Sequence, residues 1–252
     1  MAQLVELSSS AHRALKLNPD SAIQFVAKQH LLNIRVNEVA QSICNFPLLF
    51  NKSMQTGYWH LSAITSFEVG NSLFVERNQW QATYRPSCMQ SYPFYLMNSA
   101  QSDKDYTIGI DETNPAFSDA EGEVLFESNG KGSMFLNRVK NLLEADIQND
   151  IQTFKFGKTL DELDLLKSIN VIVQYQDQSL QTLTGLYTIN EDKLHTLSDS
   201  KLGELNRLGY LTPLNGILLS ISQFNNLVQK HNNRQSSSQI QNVKLELTKS
   251  KF

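Results

Sequence analysis

Gly185-Leu186-Tyr187-Thr188-Ile189-Asn190-Glu191-Asp192-Lys193-Leu194 joins the end of a strand to the start of a helix. Thr182 to Ile189 alternates in the manner of a half-buried strand. Asn190 then suits an N-cap, because its side-chain oxygen accepts the free N–H groups that open a helix. Glu191 and Asp192 follow in the first turn, where negative charge meets the positive end of the helix dipole. This run describes architecture and contains no chemistry.

Upstream of it, Val171 to Tyr175, a turn at Gln176 to Ser179, and Leu180 to Ile189 read as a hairpin. Downstream, short helices are expected over Glu191 to Leu197 and Lys201 to Leu208, with Leu202, Leu205 and Leu208 inward and Gly209 as the C-terminal stop. A last helix starts near Pro213 and carries Leu214, Ile217, Ile221, Phe224 and Leu227. Before the hairpin, Ser133 caps a long helix with Phe135, Val139, Leu142 and Leu143 on one face. Gly157 is expected to break it, and Thr159-Leu160-Asp161-Glu162 reads as the capping box of a further helix.

The first 126 residues read differently. Short strands are expected at Ala14 to Leu17, Leu31 to Val36, Phe46 to Phe50, Trp59 to Phe67, Ser72 to Glu76, Ala82 to Arg85, Phe94 to Met97 and Tyr106 to Ile110. Turn residues separate them, and a short helix capped by Asn37 interrupts them. The fold class is therefore α+β: a twisted, mostly antiparallel sheet or partial barrel first, then helices plus a β-hairpin. One domain is expected over residues 1–231. A polar, flexible tail follows over 232–252, although Ile240 to Leu247 alternates enough to add an edge strand.

With 252 residues, such a chain buries roughly 75% of its unfolded surface and needs no disulfide or metal staple. Its net charge of -3 comes from 22 basic and 25 acidic residues, which are interspersed. No basic face exists to neutralise phosphates, so no nucleic-acid partner is expected. Cys44 and Cys88 are too few and too far apart for a metal pattern, and are expected to be reduced packing residues. No segment approaches the ~20 apolar residues of a membrane span, and Met1 to Ser10 lacks the pattern of a secretory signal. The expected compartment is the cytoplasm, with signal-independent export left open.

Candidate chemistry is sparse. No two histidines have metal-ligand spacing, so no metal and no cofactor is implied. His60, beside Trp59 on a strand, is a weak candidate base. Asp111, Glu112, Glu121 and Glu123 surround the strand-to-helix transition, where Asp111, Glu121 or Glu123 are weak candidates for an acid/base pair. No Gly-x-Ser-x-Gly elbow is present. Gly130-Lys131-Gly132-Ser133 lacks full phosphate-loop spacing and reads as a turn plus N-cap. Aromatics offer the best binding hint: Trp59, Trp80, Tyr84 and Tyr92, with Tyr58, Phe94 and Tyr95, suit an apolar platform with polar tips.

Phe46-Pro47-Leu48-Leu49-Phe50, Gly70-Asn71-Ser72-Leu73-Phe74, Trp80, Tyr84-Arg85-Pro86, Tyr92-Pro93-Phe94, Ile110-Asp111-Glu112 and Glu121 to Phe126 follow one another in order. With Gly185 to Leu194, Gly209-Tyr210-Leu211 and Ser220 to Leu227, this series resembles the bacterial SapC family, named for a surface-layer-associated protein. It does not resemble the peptide-transport permease of the same name. One departure is Met89-Gln90-Ser91, where the family often carries basic residues. The resemblance implies surface-layer or envelope biology and nutrient or peptide uptake, and supplies no catalytic residues. The leading expectation is a non-enzymatic binding or accessory protein whose partner is a small molecule, a peptide or an envelope protein. The alternatives are an enzyme or enzyme subunit acting on a peptide or aromatic substrate, and an exported surface-layer subunit.

Overall fold

The computed structural model describes residues 4–99, 102–234 and 238–248. The α+β class holds: antiparallel sheets, a long helix and a set of C-terminal helices. The chain falls into two compact units, and each draws on both ends of the sequence.

One unit comprises residues 1–26, 77–79 and 87–148. Strand Ser102–Ile110 pairs with both Val5–Glu6 and Tyr95–Ser99. Lys16–Leu17 is flanked by Phe117–Ser118 and Glu123–Val124. Both sheets share a core of Leu17, Phe94, Ile110, Ala116 and Leu125, closed by Leu136, Val139 and Leu143 from the helix that follows. The i, i+3, i+7 spacing of those three puts them on one helical face. Ser133 caps that helix as its sequence implies, its Oγ accepting from Leu136 N at 3.1 Å.

The other unit comprises residues 27–76, 80–86 and 149–252. Its six-stranded antiparallel sheet runs Ile240–Leu247, Leu166–Tyr175, Leu180–Ile189, Leu48–Lys52, Trp59–Ile64, Leu31–Asn33. The expected hairpin therefore forms the middle of a sheet completed by strands from the first quarter of the chain. Along Leu166–Tyr175, Ile169, Val171, Val173 and Tyr175 are buried in strict alternation, because successive side chains leave a strand on opposite faces. Helix Leu211–Ser220 is tied to the sheet by Ser220, whose hydroxyl accepts from Leu48 N at 2.9 Å and donates to the Ile217 carbonyl.

Several sequence expectations need correction. Gly157 does not break the long helix, which runs for 29 residues over Met134–Glu162, and Thr159 to Glu162 are its last turn rather than a new cap. A Cβ at Gly157 would stand 3.0 Å from Cβ of Trp59, so this glycine serves close packing within a helix, not chain reversal. The short helical stretch begins at Val36 instead of after Asn37. Arg35 precedes it, and the buried Glu38 carboxylate reaches back to Arg35 N at 2.9 Å. Residues 82–85 are not a strand, since Tyr84 N is spent on the Asn45 side chain at 3.2 Å.

Leu208 is exposed, Leu205 alone of its trio being buried. Cys44 is exposed rather than a packing residue. Within the stretch from 232, the alternating run does form the edge strand that the sequence offers, Ile240–Leu247. Residues 235–237 and 249–252 of that stretch lie outside the described residues.

Candidate functional site

A polar cleft of about 470 Å³ opens in the six-stranded unit. Three segments build it. The loop after strand Trp59–Ile64 supplies Glu68, Asn71 and Leu73; the hairpin end supplies Tyr175 and Ser179; helix Phe224–Asn232 and the chain beyond it supply His231, Arg234 and Ser238. The loop turns because Ser66 Oγ accepts from Glu68 N at 3.1 Å, and because Gly70 takes a φ of 80°.

His231 is only 2% exposed, its ring 5.9 Å from Tyr175 and 6.4 Å from Phe67. Its Nε2 donates to the Ser238 carbonyl at 3.0 Å, which fixes that tautomer. Tyr175 donates to Gln181 Oε1 at 2.6 Å, and Gln181 Nε2 donates to the Phe67 carbonyl at 2.7 Å. Burial pushes the Tyr175 hydroxyl above its usual pKa, and the carboxylates of Glu68 and Asp177 add to the rise.

Arg234 donates through Nη1 to Asn71 Oδ1 at 3.1 Å and through Nη2 to the Ser72 carbonyl at 2.7 Å. Asn71 in turn donates from Nδ2 to Glu68 Oε2 at 3.3 Å. One cation and one anion are therefore held on either side of an amide. Lys230 sits behind, 4.8 Å over the Phe74 ring; burial lowers its pKa, with Glu76 opposing and Arg234 reinforcing. The cleft offers donors and acceptors at fixed positions.

The sequence candidates are dispersed by comparison. Asp111 accepts from Thr113 N at 2.9 Å and from its hydroxyl at 2.7 Å, a turn-closing pattern. Glu121 and Glu123 are exposed, the latter on the short strand facing Leu17. Glu112 instead meets His12, whose Nδ1 accepts from Ser8 N at 3.0 Å, so that Nε2 donates to Glu112 Oε1 at 2.8 Å. His60 stands half-buried opposite Asn51. Among the described residues, no three His, Cys, Asp or Glu side chains gather into a metal-binding group. Gly130 to Ser133 close a turn in which Gly130 N donates to Glu127 O and Glu127 N to Lys131 O.

The aromatics divide as well. Trp80 and Tyr84 come together, the indole N–H donating to the Tyr84 carbonyl at 2.8 Å, with Phe46 and Phe74 around the Trp80 ring. The Tyr84 hydroxyl donates to buried Glu38 at 2.6 Å. Trp59 makes a separate edge contact with Tyr187 at 4.7 Å beneath Lys52 Nζ. Tyr92 belongs to the other unit and stacks on Phe25 at 4.1 Å.

A second groove of about 540 Å³, along Val36, Val39, Ile43, Leu208, Tyr210 and Pro213, is lined without a charged side chain. Sequence reasoning missed the polar cleft because Arg234 and Ser238 fall in the stretch that reads as tail and His231 is the last residue before it. The one available signal was Leu227 and His231 four residues apart on the last helix.

Among the described residues, no helix is long and apolar enough to cross a membrane. No curated protein and no solved structure matches the chain. The family model described as SapC matches residues 7–227, which covers all of the cleft except His231, Arg234 and Ser238. The chain belongs to the SapC family.

Proposed function

We propose that this chain is a binding protein without chemistry of its own, serving envelope or nutrient-uptake functions from the cytoplasm, and that its ligand enters the polar cleft. The observation that carries the reading is the Glu68–Asn71–Arg234 chain at the rim, beside buried His231. A carboxylate and a guanidinium on either side of an amide match a zwitterionic molecule, an amino acid or a short peptide, whose two charges meet opposite partners. Tyr175 and Ser179 add hydrogen-bonding positions. The envelope and uptake part of the reading rests on the resemblance to the SapC family.

Retention of small molecules from cell extracts, read by mass spectrometry, tests the reading. A zwitterionic or peptidic compound is expected on the unaltered protein. Titration calorimetry with that compound should give an affinity about tenfold weaker for Glu68→Gln, which keeps the shape and removes one charge. Retention of no such compound, or an affinity indifferent to Glu68→Gln, rules the cleft out. The aromatic residues Trp59, Trp80, Tyr84 and Tyr92 stand as a rival platform, and loss of retention in Trp59→Ala with Glu68→Gln unaffected would favour them.

A further inference from the structure

The six-stranded sheet ends in a strand, Ile240–Leu247, that lies beyond the family match. Among the described residues its single neighbour is Leu166–Tyr175, in a register that sets Leu245 beside Val171 and Glu246 beside Asn170. Thr248 N donates to the Ser168 carbonyl at 3.1 Å. Hydrogen-bonded pairs alternate along an antiparallel ladder, so Asn242, Lys244 and Glu246 share the phase of Thr248 and turn their backbone groups inward. Val243, Leu245 and Leu247 turn theirs to the open edge.

The side chains of that edge carry a second pattern. Val243, Leu245 and Leu247 extend the face that Ile169, Val171 and Val173 bury one strand further in. At the edge this apolar face is uncovered, with Leu245 37% and Leu247 63% exposed. Lys244 and Glu246 stand on the opposite face, also exposed.

We propose that this edge pairs with the same edge of a second copy, antiparallel and centred on Leu245, so that one sheet continues through a two-fold axis. Backbone phase allows only outward residues to meet outward residues. Centred on Leu245, Val243 meets Leu247 of the other copy, Leu245 meets its own counterpart, and Lys244 faces Glu246 twice. A centre moved to position 244 sets lysine against lysine, and a centre at 246 sets glutamate against glutamate. Like charges directly across a ladder oppose pairing. The charge pattern therefore disfavours the two neighbouring registers, and the apolar residues favour this one by bringing Val243, Leu245 and Leu247 of both copies together.

Sedimentation equilibrium on the full chain tests the proposal, and a monomer–dimer equilibrium is expected. Lys244→Glu should raise its dissociation constant by roughly tenfold or more, because two attractive pairs become repulsive. The double variant Lys244→Glu with Glu246→Lys should bring the constant back to within about threefold. Leu245→Pro removes only an outward N–H, which the inner strand does not use, and should abolish the dimer while leaving the circular dichroism spectrum unchanged. A chain that stays monomeric from micromolar to millimolar concentration overturns the pairing. So does a dimer whose constant ignores Lys244→Glu and Leu245→Pro, or a double variant that fails to restore association.

Discussion

Gly216 lies so near Val39 that a Cβ would come 2.8 Å from its Cγ1, and Val39 is itself 2% exposed. Helix propensity alone favours alanine over glycine by about 1 kcal/mol. Here the clash with buried Val39 at the wall of the groove wins, and Gly216→Ala should lose about 1–3 kcal/mol in urea denaturation. Gly203, half-buried on helix Asp199–Arg207, would set a Cβ within 4 Å of the flexible Arg207 side chain alone, at 3.4 Å. Gly203→Ala should therefore gain about 1 kcal/mol in the same measurement. His30 belongs to the same scale. Burial lowers its pKa below the ordinary 6.5, so the folded state prefers the neutral ring. Its contribution is complete above pH 6.5 and is lost as pH falls below that value towards the folded pKa. His30→Gln should flatten this part of the acid branch of a stability–pH curve, and an unchanged acid branch would show that the ring is not responsible.

Gly185, the first residue of the run that opens the fold, sits where the hairpin ladder is irregular. Ile169 pairs with Leu186 and Val171 with Leu183, so Thr184 and Gly185 together oppose Asn170. That is a β-bulge, and Gly185 occupies it with a φ of 75°. Nothing lies within 4 Å of a Cβ there, so the cost of a side chain is conformational alone. Gly185→Ala should cost about 1–2 kcal/mol by thermal or chemical denaturation, and Gly185→Asn less. Alternation and the Asn190 cap were legible in the sequence, and Asn190 Oδ1 does accept from Lys193 N at 3.4 Å. The bulge was not legible, because it depends on which residue of the partner strand stands opposite. For the same reason Gly157 read as a helix breaker: its meaning lies in Trp59, almost a hundred positions away in the chain.

At the scale of the whole molecule, each compact unit has buried residues of its own, and helix Met134–Glu162 passes from one unit into the other. Leu125→Ala, in the first core, and Leu160→Ala, in the second, should each cost about 2–5 kcal/mol, since both side chains are wholly buried. Hydrogen exchange should show faster exchange confined mainly to the unit that carries the substitution; equal acceleration of both units in each variant would make them one cooperative body. The candidate site has the same long-range origin. Asn71 lay in a motif visible in the sequence, whereas Arg234 gained significance only from its bonds to Asn71 and Ser72. Local chemistry by itself determined the α+β class, the hairpin and the caps at Ser133 and Asn190, because each depends on residues within a few positions. Only the tertiary structure decided that the hairpin completes a sheet begun by residues 31–64, and that His231, Arg234 and Ser238 line a cleft with Glu68 and Asn71. Those outcomes depend on burial and pairing between distant segments, which spacing along a chain does not encode.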